Sequence, residues 1–188
     1  YSLLDSCTSY SDYIDYAAKL RQKAICFTEH GNIFNWIKKK IACEKKGLKY
    51  LHGVECYLTR DHNDRERDNY HTILIARNYD GVKEINKLVS ASYNAFMLID
   101  PDDFTDHFYY KPRISFNEFF KISHNVIKIS ACLASPLNNV STDDPLYERL
   151  VKSYDYLEIQ PHNSKDQIVY NRHLLQLSQQ YHIPLIAG

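Results

Sequence analysis

Short apolar runs alternate along this sequence with segments of helical period, and that alternation restricts the fold more than any other feature. Residues 24–28, 48–51, 54–58, 72–76, 126–131, 156–160 and 183–187 read as strands, with a break expected at Gly53. Residues 11–23, 33–46, 81–96, 115–122, 144–153 and 164–181 read as helices. Ser11 and Ser115 serve as expected caps, Gly47 as a stop and Pro145 as a first-turn residue. Strands alternating with helices predict an α/β fold with parallel strands, either closed into a barrel or open and doubly wound. In both cases the functional edge is the carboxyl ends of the strands.

Two segments interrupt the pattern. Residues 59–69 are densely charged and read as an exposed loop or hairpin tip. Residues 100–112 begin with Asp-Pro-Asp-Asp and run into Phe108-Tyr109-Tyr110-Lys111-Pro112-Arg113, read as a loop mixing aromatics with two cations. The lysines at 38–40, 45 and 46 read as a solvated helix face. The chain has 188 residues, with 23 basic and 23 acidic side chains. That balance excludes a strongly basic nucleic-acid-coating domain and an acidic tail, and the length suits one domain, 1–188. No run approaches the ~18 apolar residues of a membrane span, and no secretory signal is visible. Five cysteines without a Cys-x-x-Cys pair argue against a disulfide framework or zinc finger and for a reducing cytoplasm. An apolar run ending at Gly188 reads as a core strand, so the chain is expected to be a piece of a longer polypeptide.

Ligand-type side chains fall where strands begin or end. Glu29 and His30 follow the first strand, Glu55 lies within a strand, and His71 stands directly before one. Cys132 and His162 follow later strands, and Asp5 follows Leu3-Leu4. Carboxylate, imidazole and thiolate are ligands of zinc and related ions, and clusters of them build multi-metal sites for phosphate chemistry. Glu55 is the hardest to explain structurally, because carboxylates are rarely buried unpaired.

Six motifs then occur in order: Tyr1-Ser2-Leu3-Leu4-Asp5, Thr28-Glu29-His30-Gly31-Asn32, Gly53-Val54-Glu55-Cys56-Tyr57, Tyr70-His71, Tyr109-Tyr110-Lys111-Pro112-Arg113 and Ser130-Ala131-Cys132-Leu133-Ala134. As a set they resemble the PHP (polymerase and histidinol phosphatase) domain of bacterial DNA polymerase III alpha subunits. The resemblance implies a distorted (β/α)7 barrel, truncated at both ends here. It implies up to three divalent metal ions, zinc, manganese or iron, in the intact domain. Asp5, His30, Glu55, His71 and Cys132 match the family's metal ligands, with Glu55 and His71 as the catalytic pair. Glu29 stands where the family usually has Asp beside the histidine; it and His162 are expected to support the ligands from behind. A further His-x-His pair would precede Tyr1 and an Asp-x-His pair would follow Gly188.

The implied activity is a metal-dependent phosphoesterase of the 3′–5′ exonuclease type within a DNA-directed DNA polymerase. Lys111 and Arg113 are candidates for contact with phosphate or DNA, against pairing with Asp100, Asp102 or Asp103. The implied partners are DNA, the rest of the polymerase chain and other replisome subunits, with no membrane. Two other readings stand beside this one, a non-catalytic scaffold of the polymerase and a stand-alone phosphatase of the histidinol-phosphatase type. His52, His62, His107, His124, His173 and His182 have no motif context and read as surface or packing residues.

Overall fold

The computed structural model describes residues 7–63, 65–67, 69–93 and 107–188. In chain order the elements are α1 (Tyr10–Lys19), β1 (Ala24–Phe27), α2 (Trp36–Lys45), β2 (Lys49–Thr59), β3 (Tyr70–Ala76), α3 (Tyr79–Ser92), β4 (Phe108–Tyr109), β5 (Lys111–Ser115), α4 (Phe116–Lys121), β6 (Val126–Ile129), α5 (Pro136–Asn139), α6 (Tyr147–Lys152), β7 (Leu157–Ile159), α7 (Lys165–Tyr181) and β8 (Leu185–Ala187). Ser9, not Ser11, caps α1. A capping box needs an acceptor three residues on, which Asp12 supplies to Ser9 and which Ile14 cannot supply to Ser11. Ser115 caps α4 as expected, with Glu118 closing the box.

The sheet is organised around β2, which runs unbroken through Gly53. β1 pairs with its first half in parallel, from Ala24↔Lys49 to Phe27↔His52. β5 pairs in parallel with its end, from Tyr57↔Arg113 to Thr59↔Ser115. β3 pairs antiparallel with β2, and β6 antiparallel with β3. A parallel bridge between Ile129 and Tyr156 leads on to β7, which pairs in parallel with β8. All the long-range pairings therefore share one direction except those of β3. The reversal follows from the connection at 60–69, which is too short for a parallel crossover of a dozen or more residues. It returns the chain as a hairpin instead.

The expected all-parallel arrangement is thus corrected to a mixed α/β sheet. Among the described residues no pairing joins β8 back to β1, so the strands form an open series and not a closed barrel. The loop expected at 100–112 ends in structure: β4 and β5 form a hairpin turned at Tyr110, with φ +57°.

Strand alternation divides β2 and β3 into two faces. Val54, Cys56, Leu58, Thr72 and Leu74 point into the main core. There they meet Ile85 and Val89 of α3, Phe116 and Phe119 of α4, Leu150 of α6 and Leu174 of α7. A smaller core of Ile14, Ala17, Cys43 and Leu48 joins α1 to α2. The opposite face of β2 and β3 carries Glu55, Tyr57, His71 and Ile73 in register. The lysine-rich face of α2 is not uniformly solvated. Lys38 and Lys40 are exposed, but Lys39 is buried, bonded to the Glu29 carboxylate and set 5.1 Å from the Phe27 ring centre.

His52 is buried between Tyr50 Oη, 3.0 Å from Nδ1, and Asn86 Oδ1, 2.9 Å from Nε2. Burial lowers its pKa, although the bond to Asn86 opposes the shift. The unfolded chain then takes up a proton before the fold does as pH falls through the ordinary histidine range near ~6.5. Stability from this residue is whole above that range and declines below it. The urea midpoint is expected to fall between about pH 7.5 and 5.5, and His52→Gln to flatten part of that decline.

Candidate metal centre

Glu55 and His71 meet because of the hairpin register. Glu55 pairs with Ile73 and Tyr57 with His71, so Glu55 and His71 are diagonal neighbours on one face. His71 Nδ1 lies 3.1 Å from Glu55 Oε1. His30 reaches the same oxygen from the end of β1, with Nδ1 at 2.7 Å. Its backbone is held in line by a parallel bridge to Glu55, in which Glu55 N–H donates to the Glu29 carbonyl and Gly31 N–H to the Glu55 carbonyl. Cys132 arrives from the end of β6, with Sγ 3.5 Å from His71 Nδ1. The His71 N–H donates to the Ala134 carbonyl and ties the two segments together. The antiparallel direction of β3 explains why His71 stands at the start of its strand. The start of β3 and the ends of β1 and β6 lie at one edge of the sheet.

The site grades from the interior to solvent: the side chain of Glu55 is 13% exposed, that of His71 25% and that of His30 41%. Burial pushes the His71 pKa down, with Glu55 opposing and His30 and Lys111 adding to the shift. A neutral His71 results, suited to offering a lone pair. Burial raises the Cys132 thiol, and Glu55 and Glu158 add to that while backbone bonds from Ala134 and Cys132 oppose it. Left-handed backbone borders three of these positions: Gly31 (φ +66°) after His30, Ala131 (φ +58°) before Cys132 and Tyr110 before Lys111. At Gly31 a Cβ would also fall 2.6 Å from Pro112 Cγ and 2.9 Å from Tyr57 Cε2. Gly31→Ala is expected to cost about 2 kcal/mol in thermal unfolding and to displace His30, with weaker metal retention on dialysis.

The other expected site residues separate. Asp5 lies outside the described residues, as do Asp100, Asp102 and Asp103. The Glu29 side chain turns to Lys39, so its carboxylate is spent on a buried ion pair while its backbone supports Glu55. His162 is exposed on the segment after β7. Lys111 is exposed, with Nζ 4.8 Å from the Tyr57 ring centre. Arg113 is corrected from a phosphate contact to a buried structural residue, fully shielded from solvent. Its Nε donates to the His107 carbonyl at 3.0 Å and its Nη2 to the His62 carbonyl at 2.9 Å.

Beside His71 opens a groove of about 620 Å³ lined by Tyr57, Arg67, Tyr70, His71, Lys111 and Asn139, among others. Arg67, which sequence reasoning did not single out, stacks 4.1 Å from the Tyr110 ring centre and donates to Tyr110 Oη at 2.6 Å. Glu158 was also passed over. It is 7% exposed, and burial raises its pKa, with Glu55 adding and the bond from Gln160 opposing. A carboxylate inside the apolar run at 156–160 was the available signal, the same one that marked Glu55.

The donor set fits a transition-metal ion. Two imidazoles converge on one carboxylate oxygen with a thiol at the next position, and zinc accepts all three ligand types. Nδ1 of His30 is hydrogen-bonded to the carboxylate and Nδ1 of His71 to the Cys132 sulfur, and neither ring's Nε2 is used in these contacts.

The PHP domain family matches residues 1–166. The DNA polymerase III alpha subunit of Borreliella burgdorferi is 33% identical over the whole chain, and that of Aquifex aeolicus 28%. The chain spans 17% of the length of each. Among solved structures, one from Bifidobacterium adolescentis carries a provisional assignment as a metal-dependent phosphoesterase. It superposes with a TM-score of 0.60 at 15% identity, over 98% of this chain and 82% of that one. An amidohydrolase from Chromobacterium violaceum, with bound sulfate, gives 0.54 at 14% identity over the same shares. Those likenesses speak to fold alone. Among the described residues no helix is long and apolar enough to cross a membrane. With its six motifs in order, four of their ligand-type residues linked through Glu55 and His71 at one sheet edge, and a family match over most of its length, the chain belongs to the PHP domain family.

Proposed function

We propose that residues 1–188 form the PHP domain of a bacterial, cytoplasmic DNA polymerase III alpha chain, and that its centre is a metal-dependent phosphoesterase acting as a 3′–5′ exonuclease. The observation that carries this reading is the meeting of His30 and His71 Nδ1 on a single Glu55 oxygen, with Cys132 alongside. His30, Glu55, His71 and Cys132 would hold the ions, with Asp5 as a fifth ligand. Zinc, manganese and iron all suit this set, up to three in the intact domain. Bound there, they would supply Lewis acidity and water activation near neutral pH. The open series of strands is read as part of a distorted (β/α)7 barrel that further strands of a longer chain complete.

The chain's own residues supply the rest. Glu55 offers its shared oxygen between the two imidazoles, and neutral His71 keeps its lone pair at the groove wall. Lys111 and Arg67 place positive charge along the groove against the carboxylate of Glu66, and Tyr57 and Tyr70 add ring faces and edges. Cations beside aromatics suit a single DNA strand, whose phosphates meet the charge and whose bases stack.

The test uses the full-length polypeptide, freed of other exonuclease subunits, and 5′-labelled single-stranded DNA. Shortening from the 3′ end that stops with chelator and returns with added manganese or zinc is the expected result. Lys111→Gln is expected to raise KM about 10-fold with kcat little changed, since it removes a contact made equally in ground and transition states. Absent cleavage by the unaltered protein would favour the scaffold reading, and metal-independent cleavage would overturn the metal-dependent one.

A further inference from the structure

A second constellation, sharing no residue with the Glu55 centre, sits where the 60–69 connection, the start of β4 and the N-terminus of α4 meet. His62 Nε2 lies 3.0 Å from Glu118 Oε2, and His107 Nε2 lies 3.3 Å from Glu118 Oε1. The two ring centres are 3.8 Å apart. One ligand atom from each of the three residues falls within 4.8 Å of the others. His107 is 3% exposed at its side chain and His62 10%. The Nε2 of His62 is buried and faces the Glu118 carboxylate. Two largely buried imidazole nitrogens and one carboxylate thus share a space small enough for a single ion.

The surroundings hold these three side chains in place. Arg113 donates to the backbone carbonyls of both His62 and His107, fixing two loops against each other from behind. Ser115 donates to Glu118 Oε2 through both N–H, at 2.7 Å, and Oγ, at 2.9 Å. The capping box therefore fixes the carboxylate, with Oε2 turned to His62 and Oε1 to His107. Two imidazoles and one carboxylate form a recognised zinc donor set, with bonds of about 2.0–2.2 Å.

We propose that His62, His107 and Glu118 bind a divalent transition-metal ion of the zinc class. The ion would clamp the 60–69 connection and the β4–β5 hairpin to α4. Arg67 lies in that connection and Lys111 in that hairpin, so loading this site would stiffen the cationic wall of the groove beside His71.

The test is a Co²⁺ titration of the full-length chain carrying Glu55→Gln and His71→Gln, which disables the first centre. Adding His62→Gln and His107→Gln should remove one equivalent of bound Co²⁺ together with its visible absorption band. Zn²⁺ should raise the melting temperature by about 5 °C only while both histidines are present. Equal Co²⁺ uptake with and without these histidines would overturn the proposal. If the added substitutions prevent folding by circular dichroism, crystals of the unaltered protein soaked in Zn²⁺ decide the matter. An anomalous peak at the zinc edge within bonding distance of both Nε2 atoms supports the site, and ordered rings without such a peak overturn it.

Discussion

Glu55→Gln is expected to strip the centre at this sheet edge of its divalent ions and to lower 3′-end cleavage by at least about 100-fold, with the fold retained. The substitution keeps the shape of the side chain and removes its charge. It also replaces an anionic oxygen that lies within 3.1 Å of two imidazole nitrogens with a neutral amide. The position is 13% exposed at its side chain and lies on the face of β2 away from the main core, so packing is little disturbed. Circular dichroism and the urea midpoint should stay near those of the unaltered chain, while metal retained after gel filtration falls. Full metal retention and cleavage in Glu55→Gln would place the chemistry elsewhere.

Arg113→Ala is expected to act on stability, at about 3–5 kcal/mol, read from the denaturant midpoint. The side chain is completely buried and its guanidinium donates to two backbone carbonyls on different loops. Truncation leaves those carbonyls without their donor and opens a cavity beside β2, where Arg113 pairs with Tyr57. Arg113→Lys should still cost about 2 kcal/mol, because an ammonium on a flexible stem cannot present the same planar fork. A loss below about 1 kcal/mol for Arg113→Ala would mean that the two loops are held by other contacts.

Arg113 also marks a limit of sequence reading. Beside Lys111 in a segment of aromatics and charges, it carries the same signal as a phosphate contact. Only the folded chain shows that Lys111 stays at the surface while Arg113 is drawn under the loops by the His62 and His107 carbonyls. The same limit applies to Lys39, whose neighbours at 38 and 40 are solvated. Local information did suffice where the physics is local. Ser115 and Glu118 spell out a capping box, Ser164 caps α7, and the apolar runs at 24–28 and 126–131 contain β1 and β6.

The direction of β3 is not local, since it depends on how the chain returns after β2. The absence of a helical pattern at 59–69 was the available clue, and it turns out to place His71 at the same edge as His30 and Cys132. His62 and His107 sit far apart in sequence with no common spacing, so only folding brings them together at Glu118. Glu158 was discoverable from its apolar neighbours alone. The contacts among His30, Glu55, His71 and Cys132 were expected from the order of motifs, whereas Asp5 lies outside the described residues.

The most direct test of the central claim is the metal content of the full-length polypeptide by plasma mass spectrometry, beside a Glu55→Ala, His71→Ala variant. The predicted result is that the variant loses two to three tightly bound ions per chain and keeps at most the one held by His62, His107 and Glu118. Equal metal in both proteins, or none in the unaltered one, would contradict a metal centre at the Glu55 edge of the sheet.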